Sequence, residues 1–261
     1  MKKILLIPII FIIFFVFYFY NNLYNDLSVI KSRGVLVVGT TGDYQPMSYF
    51  DKTKNKYTGF DVDLSKDLAK SLGVNIKFVP TTWSTLTNDT INKKFDIAIS
   101  GITVTDDRKK YALMSKKYLP NGKTILCRKE DEHKYTDLES INKAGVRVIE
   151  NPGGLNEKFA RENLPKAHLI IHNINYEIPD MIANGKADVM VTEVIEANYY
   201  SHINKKLSAP LTKTPFTKGG IGMMMPKENT QLLDYTNKFI DKEIKSGRIE
   251  ELTIKHILVN N

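Results

Sequence analysis

From Val35 onward, short runs of β-branched residues alternate with amphipathic stretches, and this alternation restricts the chain to an α/β architecture built on parallel sheets. Residues 35–40 read as a first strand, 61–72 as a helix stopped by Gly73, and 74–79 as a second strand. A helix over 84–92 and a strand over 96–100 follow. A second series then starts, with strands at 146–149, 168–172 and 188–191 separated by helices over 154–163 and up to Ala183, and with another helix after the last strand. The remaining chain reads as a strand at 221–225, a long helix over 230–245 and a short terminal helix, expected to pack back on the first unit. Chain-breaking residues gather at 119–123, with Pro120, Asn121 and Gly122, and at 209–215, with Pro210 and Pro215. Two crossings between two α/β units make a hinged cleft. The expected lobes are 30–121 together with 214–261, and 122–213.

Ahead of this region, Lys2 and Lys3 precede an uncharged apolar run from Ile4 to Tyr20. Basic residues before such a run hold the N-terminus in the cytoplasm, so the chain after Asn21 is expected to be exported. Residues 1–22 therefore read as a signal peptide or signal anchor. A run of about 17 residues is short for a membrane span, but no small-x-small cleavage site follows it, and the balance favours a retained anchor. The single cysteine, Cys127, lies far from the apolar run, which argues against lipoprotein processing. One cysteine also forms no internal disulfide, so a packed core has to supply the stability. The formal net charge of +8 is carried by lysines scattered among acidic residues on amphipathic segments, a solvated basic surface rather than a nucleic-acid footprint. No zinc-ligand spacing, Ser-His-Asp order or phosphate-cradling glycine loop occurs, so no metal and no organic cofactor are expected.

Four segments carry a family resemblance: VGTTGDYQPMSY, TGFDVDLSKDLA, FDIAISGITVTDDRKKYALMS and KADVMVTEVIEA. Together they resemble the family-3 amino-acid-binding proteins of uptake systems over nearly all of the exported chain. Within that family VPTTWSTL, YLPNGKT, VRVIENPGGLNEKFAR and VTEVIEA are more closely similar to the periplasmic cyclohexadienyl dehydratases. The resemblance implies a two-lobed periplasmic-binding-protein fold of type II, with a small carboxylate or amino-acid ligand between the lobes.

It also implies roles for particular residues. Arg108 would grip a substrate carboxylate with its planar fork of donors, where read alone it is a helix-surface arginine beside Lys109. Thr103 begins the same segment and shares the substrate-binding role. Asn151-Pro152-Gly153-Gly154 joins a strand to a helix, where glycines let backbone donors approach an anion; Asn151 and Gly154 are carried over as cleft residues. Lys123, in PNGKT, would act on a substrate carboxylate or the developing charge, and otherwise reads as a linker lysine. Glu193 stands where an aspartate normally pairs with a ligand's amino group. Glu196 matches the glutamate that serves as general acid, against a reading alone as an exposed helix residue. Trp83, the only tryptophan, is either an aromatic wall or a core residue. Asp43 and Tyr44 would line the first lobe, although Asp43 equally suits a turn cap.

The chain departs from the dehydratase pattern at Leu155, where a threonine is usual, at Ser84 in place of proline, and at Glu193. The expected activity is dehydration with decarboxylation of prephenate or arogenate, giving phenylpyruvate or phenylalanine, with Glu196 and Lys123 as the catalytic pair. The alternative is a non-catalytic receptor that delivers an amino acid to an ABC permease.

Overall fold

A computed structural model describes residues 26–258. The apolar segment expected at 1–22 lies outside these residues, and among the described ones no helix is long and apolar enough to cross a membrane.

Two sheets organise the chain. The first has six strands and is assembled from Val35–Thr40, Asn75–Pro80, Ile97–Thr103, Leu113–Met114, Leu119–Asn121 and Gly219–Met225. Val35–Thr40 lies between Asn75–Pro80 and Ile97–Thr103, parallel to both. Gly219–Met225 then pairs antiparallel with Ile97–Thr103, so the sheet is mixed rather than wholly parallel. The helix Phe60–Leu72 covers it because Phe60, Leu64, Leu68 and Leu72 fall at four-residue intervals on one buried face. Gly73 ends this helix in the left-handed conformation at φ 73°, and its N–H donates to the carbonyl of Lys70. Leu232, Phe239, Ile240 and Leu252, from the last two helices, join Leu36, Val38, Phe60 and Leu64 in one core.

The second sheet has five strands, in the order His168–Ile171, Arg147–Glu150, Val189–Glu193, Lys123–Arg128 and Leu207–Ser208. Its first three strands are parallel, and Lys123–Arg128 is antiparallel to Val189–Glu193. Separate apolar clusters lie against its two faces, one around Ile125, Val148, Val189 and Val191, the other around Leu126, Ile149, Ile182 and Met190. The molecule is thus two-lobed, each lobe with its own core.

Within the segment at 119–123, read as a linker from its chain breakers, Leu119–Asn121 is extended strand that pairs with Gly219–Ile221, and Lys123 begins a strand of the second sheet. Pro120 is tolerated there because its strand pairs on one side only, leaving the missing N–H at an edge. Gly122 is where the two crossing segments touch: a Cβ there would overlap the carbonyl of Thr217. Lys123 N–H donates to Thr217 Oγ1 at 2.9 Å, and Phe216 N–H donates to the Lys123 carbonyl at 2.7 Å. A small three-stranded sheet, Asp43–Tyr44, Ser48–Asp51 and Lys56–Thr58, fills what reads in sequence as one loop.

Candidate active site

The lobes meet over a narrow cleft with a cavity volume of about 30 Å³. Tyr44, Trp83, Thr103 and Arg108 line it from the first lobe. Lys123, Asn151, Gly154 and Glu193 line it from the second. Asp43 and Glu196, the other two residues singled out from sequence, stand one side chain behind the lining.

Arg108 lies on a short helix, Asp106–Tyr111, whose N-cap Thr105 accepts a hydrogen bond from its N–H. Its neighbours Lys109 and Lys110 face outward to Asp106 and Asp107, whereas the Arg108 guanidinium turns inward and donates to the Thr103 carbonyl at 2.8 Å. Burial lowers the guanidinium pKa to about 10, which still leaves it charged at neutral pH. Among the described residues it forms no ion pair, so it presents a desolvated positive charge to the cleft. The surface-arginine alternative does not describe it.

Glu193 caps the strand Val189–Glu193 and is the point on which the lobes converge. Its Oε1 accepts from Thr103 Oγ1 at 2.6 Å and Lys123 Nζ at 3.0 Å. Its Oε2 accepts from Tyr44 OH at 3.1 Å and Asn121 Nδ2 at 2.8 Å. Burial alone would push this carboxyl up, but the Lys123 charge and the hydrogen bonds from Thr103, Lys123 and Tyr44 outweigh it and hold the pKa below the usual range. Lys123 also donates to Asn156 Oδ1.

Glu196 lies in the first turn of the helix Val194–Ile203 and is fully buried. Asn175 Nδ2 donates to its Oε1 at 2.8 Å, and Thr192 Oγ1 meets its Oε2. Burial raises its pKa to about 8; the bonds from Thr192 and Asn175 only partly oppose this, and the nearby charges of Asp43 and Glu193 add to it. Two carboxyls three residues apart thus hold opposite protonation states at neutral pH, because one has four donors, one of them a cation, and the other has two neutral donors.

The Trp83 indole stands edge-on to Tyr44, with ring centroids 5.6 Å apart, and donates from Nε1 to Asp43 Oδ1 at 3.1 Å. Asp43 therefore orients the aromatic wall rather than forming it. Burial raises the pKa of this carboxyl as well.

At the Asn151–Gly154 turn the two glycines divide the work. Gly153 has φ 80°, its N–H donates to Glu157 Oε2 at 2.6 Å, and a Cβ on it would come within 2.5 Å of Ser84 in the opposite lobe. It thus permits lobe approach, and its N–H is not directed at a ligand. Gly154 lies at the start of the helix Leu155–Asn163, whose first residues open into the cleft.

Sequence reasoning missed Gly101, Asn156 and Asn175, all of which line the cleft, and Asn121, which donates to Glu193. Asn121 and Asn156 sit inside the PNGKT and GGLNEKF motifs and were within reach of that reading. Asn175, in a 3-10 turn over Asn175–Glu177, carries no sequence signal.

The pattern of the bacterial extracellular solute-binding proteins, family 3, matches residues 36–259. The chain belongs to this family. This family-3 protein is 40% identical over 225 residues to the cyclohexadienyl dehydratase of Pseudomonas aeruginosa, a match covering 86% of this chain and 83% of the relative. A solved ancestral cyclohexadienyl dehydratase is 50% identical over 89% of this chain and 96% of its own, with a TM-score of 0.56. A solved ancestral amino acid-binding protein, described as a precursor of cyclohexadienyl dehydratase, is 38% identical over 88% of this chain and 99% of its own, with a TM-score of 0.81. Identity and superposition rank these two differently, and a global superposition responds to the angle between lobes as well as to the fold of each.

Proposed function

We propose that this protein is a periplasmic cyclohexadienyl dehydratase that converts prephenate to phenylpyruvate, arogenate to phenylalanine, or both. The observation that carries this reading is Glu196, a carboxyl fully buried beside the cleft that keeps its proton at neutral pH. Its side chain does not point into bulk solvent. A transport receptor has no use for a carboxylic acid behind its ligand, whereas this elimination cannot proceed readily without one.

In the reaction the bond between the ring and its carboxylate breaks, its electron pair enters the ring, and carbon dioxide leaves. The ring hydroxyl departs from the opposite carbon, and hydroxide is a poor leaving group unless protonated. Glu196 supplies that proton, water leaves, and the glutamate is left ionised until solvent reprotonates it. Arg108 holds one substrate carboxylate, Lys123 faces a second negative group, and Asn151 and Gly154 orient the ring. Tyr44, Trp83 and Thr103 form the wall opposite.

Purified soluble domain should release phenylpyruvate from prephenate, and Glu196→Gln should slow the release at least ~100-fold without loss of fold. No product from prephenate or arogenate would overturn the reading.

The second reading is an amino-acid receptor working with an ABC permease, favoured by the close superposition on an ancestral binding protein. The Glu193 carboxylate speaks against it. The acid that a ligand's ammonium would need already accepts four hydrogen bonds, one of them from an internal ammonium. A thermal-shift screen with the proteinogenic amino acids tests this, since a ligand at a thousandfold excess over Kd stabilises by about 4 kcal/mol. Strong stabilisation by any of them would support the receptor.

The first 22 residues serve as the export signal or anchor, and lobes 30–121 with 214–261 and 122–213 close about the Gly122 crossing. Fractionation of cells expressing the full chain distinguishes a released from a membrane-held protein.

A further inference from the structure

Asn175 is 1% exposed, lines the cleft, and belongs to the second lobe. Its Nδ2 group has two hydrogens and two acceptors on opposite lobes: Glu196 Oε1 at 2.8 Å, and the Asp43 carbonyl of the first lobe at 3.2 Å. These two acceptors fix which end of the amide is nitrogen. Its Oδ1 is therefore directed away from both, buried and, among the described residues, with no hydrogen-bond partner. A buried amide oxygen left unmatched is costly, so a site that retains one has a use for it.

We propose that Asn175 is a positioning residue that couples lobe closure to the aim of the Glu196 proton, and that its Oδ1 accepts a hydrogen bond from the substrate's leaving hydroxyl. The inference rests on the dehydratase reading. An amide N–H2 only donates, so the Glu196 oxygen it touches has to be the acceptor oxygen of the carboxylic acid. The proton is thereby confined to Oε2. On the substrate side, the hydroxyl gives its own hydrogen to Asn175 Oδ1 and turns a lone pair toward Oε2–H. When the proton crosses, the C–O bond breaks and the oxygen leaves as water. The Asp43 carbonyl contact exists only while the lobes are together, so opening the cleft frees the amide to rotate.

Asn175→Asp removes both donors at nearly constant shape. Glu196 is already surrounded by Asp43, Glu193, Glu150, Tyr44 and Tyr200, with Lys123 as the cation beyond Glu193. One more negative charge in this setting has to raise its pKa. Steady-state kinetics with prephenate should show kcat reduced at least 100-fold, KM changed less than 10-fold, and the alkaline limb of kcat moved to higher pH. Asn175→Ser, which adds no charge but removes the amide's bond to Glu196, should lose kcat similarly and move the limb the same way by less. Folding is followed by circular dichroism, and the serine variant stands in if the aspartate does not fold. Full-length turnover by either folded variant, within threefold of the parent and with the limb unmoved, overturns the proposal alone. Absence of turnover by the parent overturns the dehydratase reading together with it.

Discussion

Lys123 and Glu193 form an ion pair of 3.0 Å across the second sheet, with side chains only 9% and 6% exposed. They are also register partners, since Lys123–Arg128 and Val189–Glu193 pair antiparallel with Glu193 opposite Lys123. The strand pairing thus brings the two charges together before any ligand arrives.

Removing one member leaves an uncompensated buried charge, so Lys123→Met should destabilise by about 3–5 kcal/mol and Glu193→Gln somewhat less, because its remaining donors keep an amide acceptor. The double variant should recover part of the loss. Urea unfolding of the four proteins measures the coupling, and additive losses would contradict a tight pair.

Glu196→Gln should lower kcat by about 100- to 10,000-fold, the usual contribution of a positioned acid. In the parent, kcat should fall along an alkaline limb near pH 8 as the proton is lost. A limb far below pH 7 would mean that another group donates.

Stability should carry the same signature. The Glu196 carboxyl ionises at about 8 in the folded state and at about 4.3 when unfolded. Between these values the unfolded chain binds fewer protons, so stability is greatest on the acid side and declines as pH rises from about 4 to about 8. Asp61, buried and raised to about 7, adds to this slope. Glu193 acts oppositely, contributing stability that is present above about pH 4.3 and lost below it as its lowered folded pKa is crossed. Unfolding measured at several pH values should give a shallower decline above pH 5 for Glu196→Gln than for the parent.

Two glycines with positive φ separate closure from folding. Gly73→Ala meets no neighbouring atom and should cost about 1 kcal/mol through its left-handed backbone, with turnover unchanged. Gly153→Ala carries the same backbone strain and also drives a methyl group into Ser84 across the cleft. Its KM should rise at least tenfold, and small-angle scattering with substrate should show a more open particle than the parent. Equal kinetics for the two variants would remove Gly153 from closure.

Much of this was legible in the sequence. The strand at Val35–Thr40, the helix stopped by Gly73 and the long helix Thr230–Lys245 follow from periodicity and end signals, which depend on neighbours three or four residues away. Family motifs located eight of the twelve described residues that line the cleft. What was not legible was short or non-local. The strands at Asp43–Tyr44 and Lys56–Thr58 are too brief for an alternation to register, and Pro120 disguised an edge strand.

The sequence by itself determined which residue types exist to do chemistry and on which elements they ride, because helix and strand patterns are written in local spacing. Only the tertiary structure decided that Glu193 would be an ion and Glu196 an acid. A carboxyl's charge is set by burial and by partners drawn from distant parts of the chain, here Tyr44, Thr103, Lys123 and Asn175, and no local pattern specifies those distances.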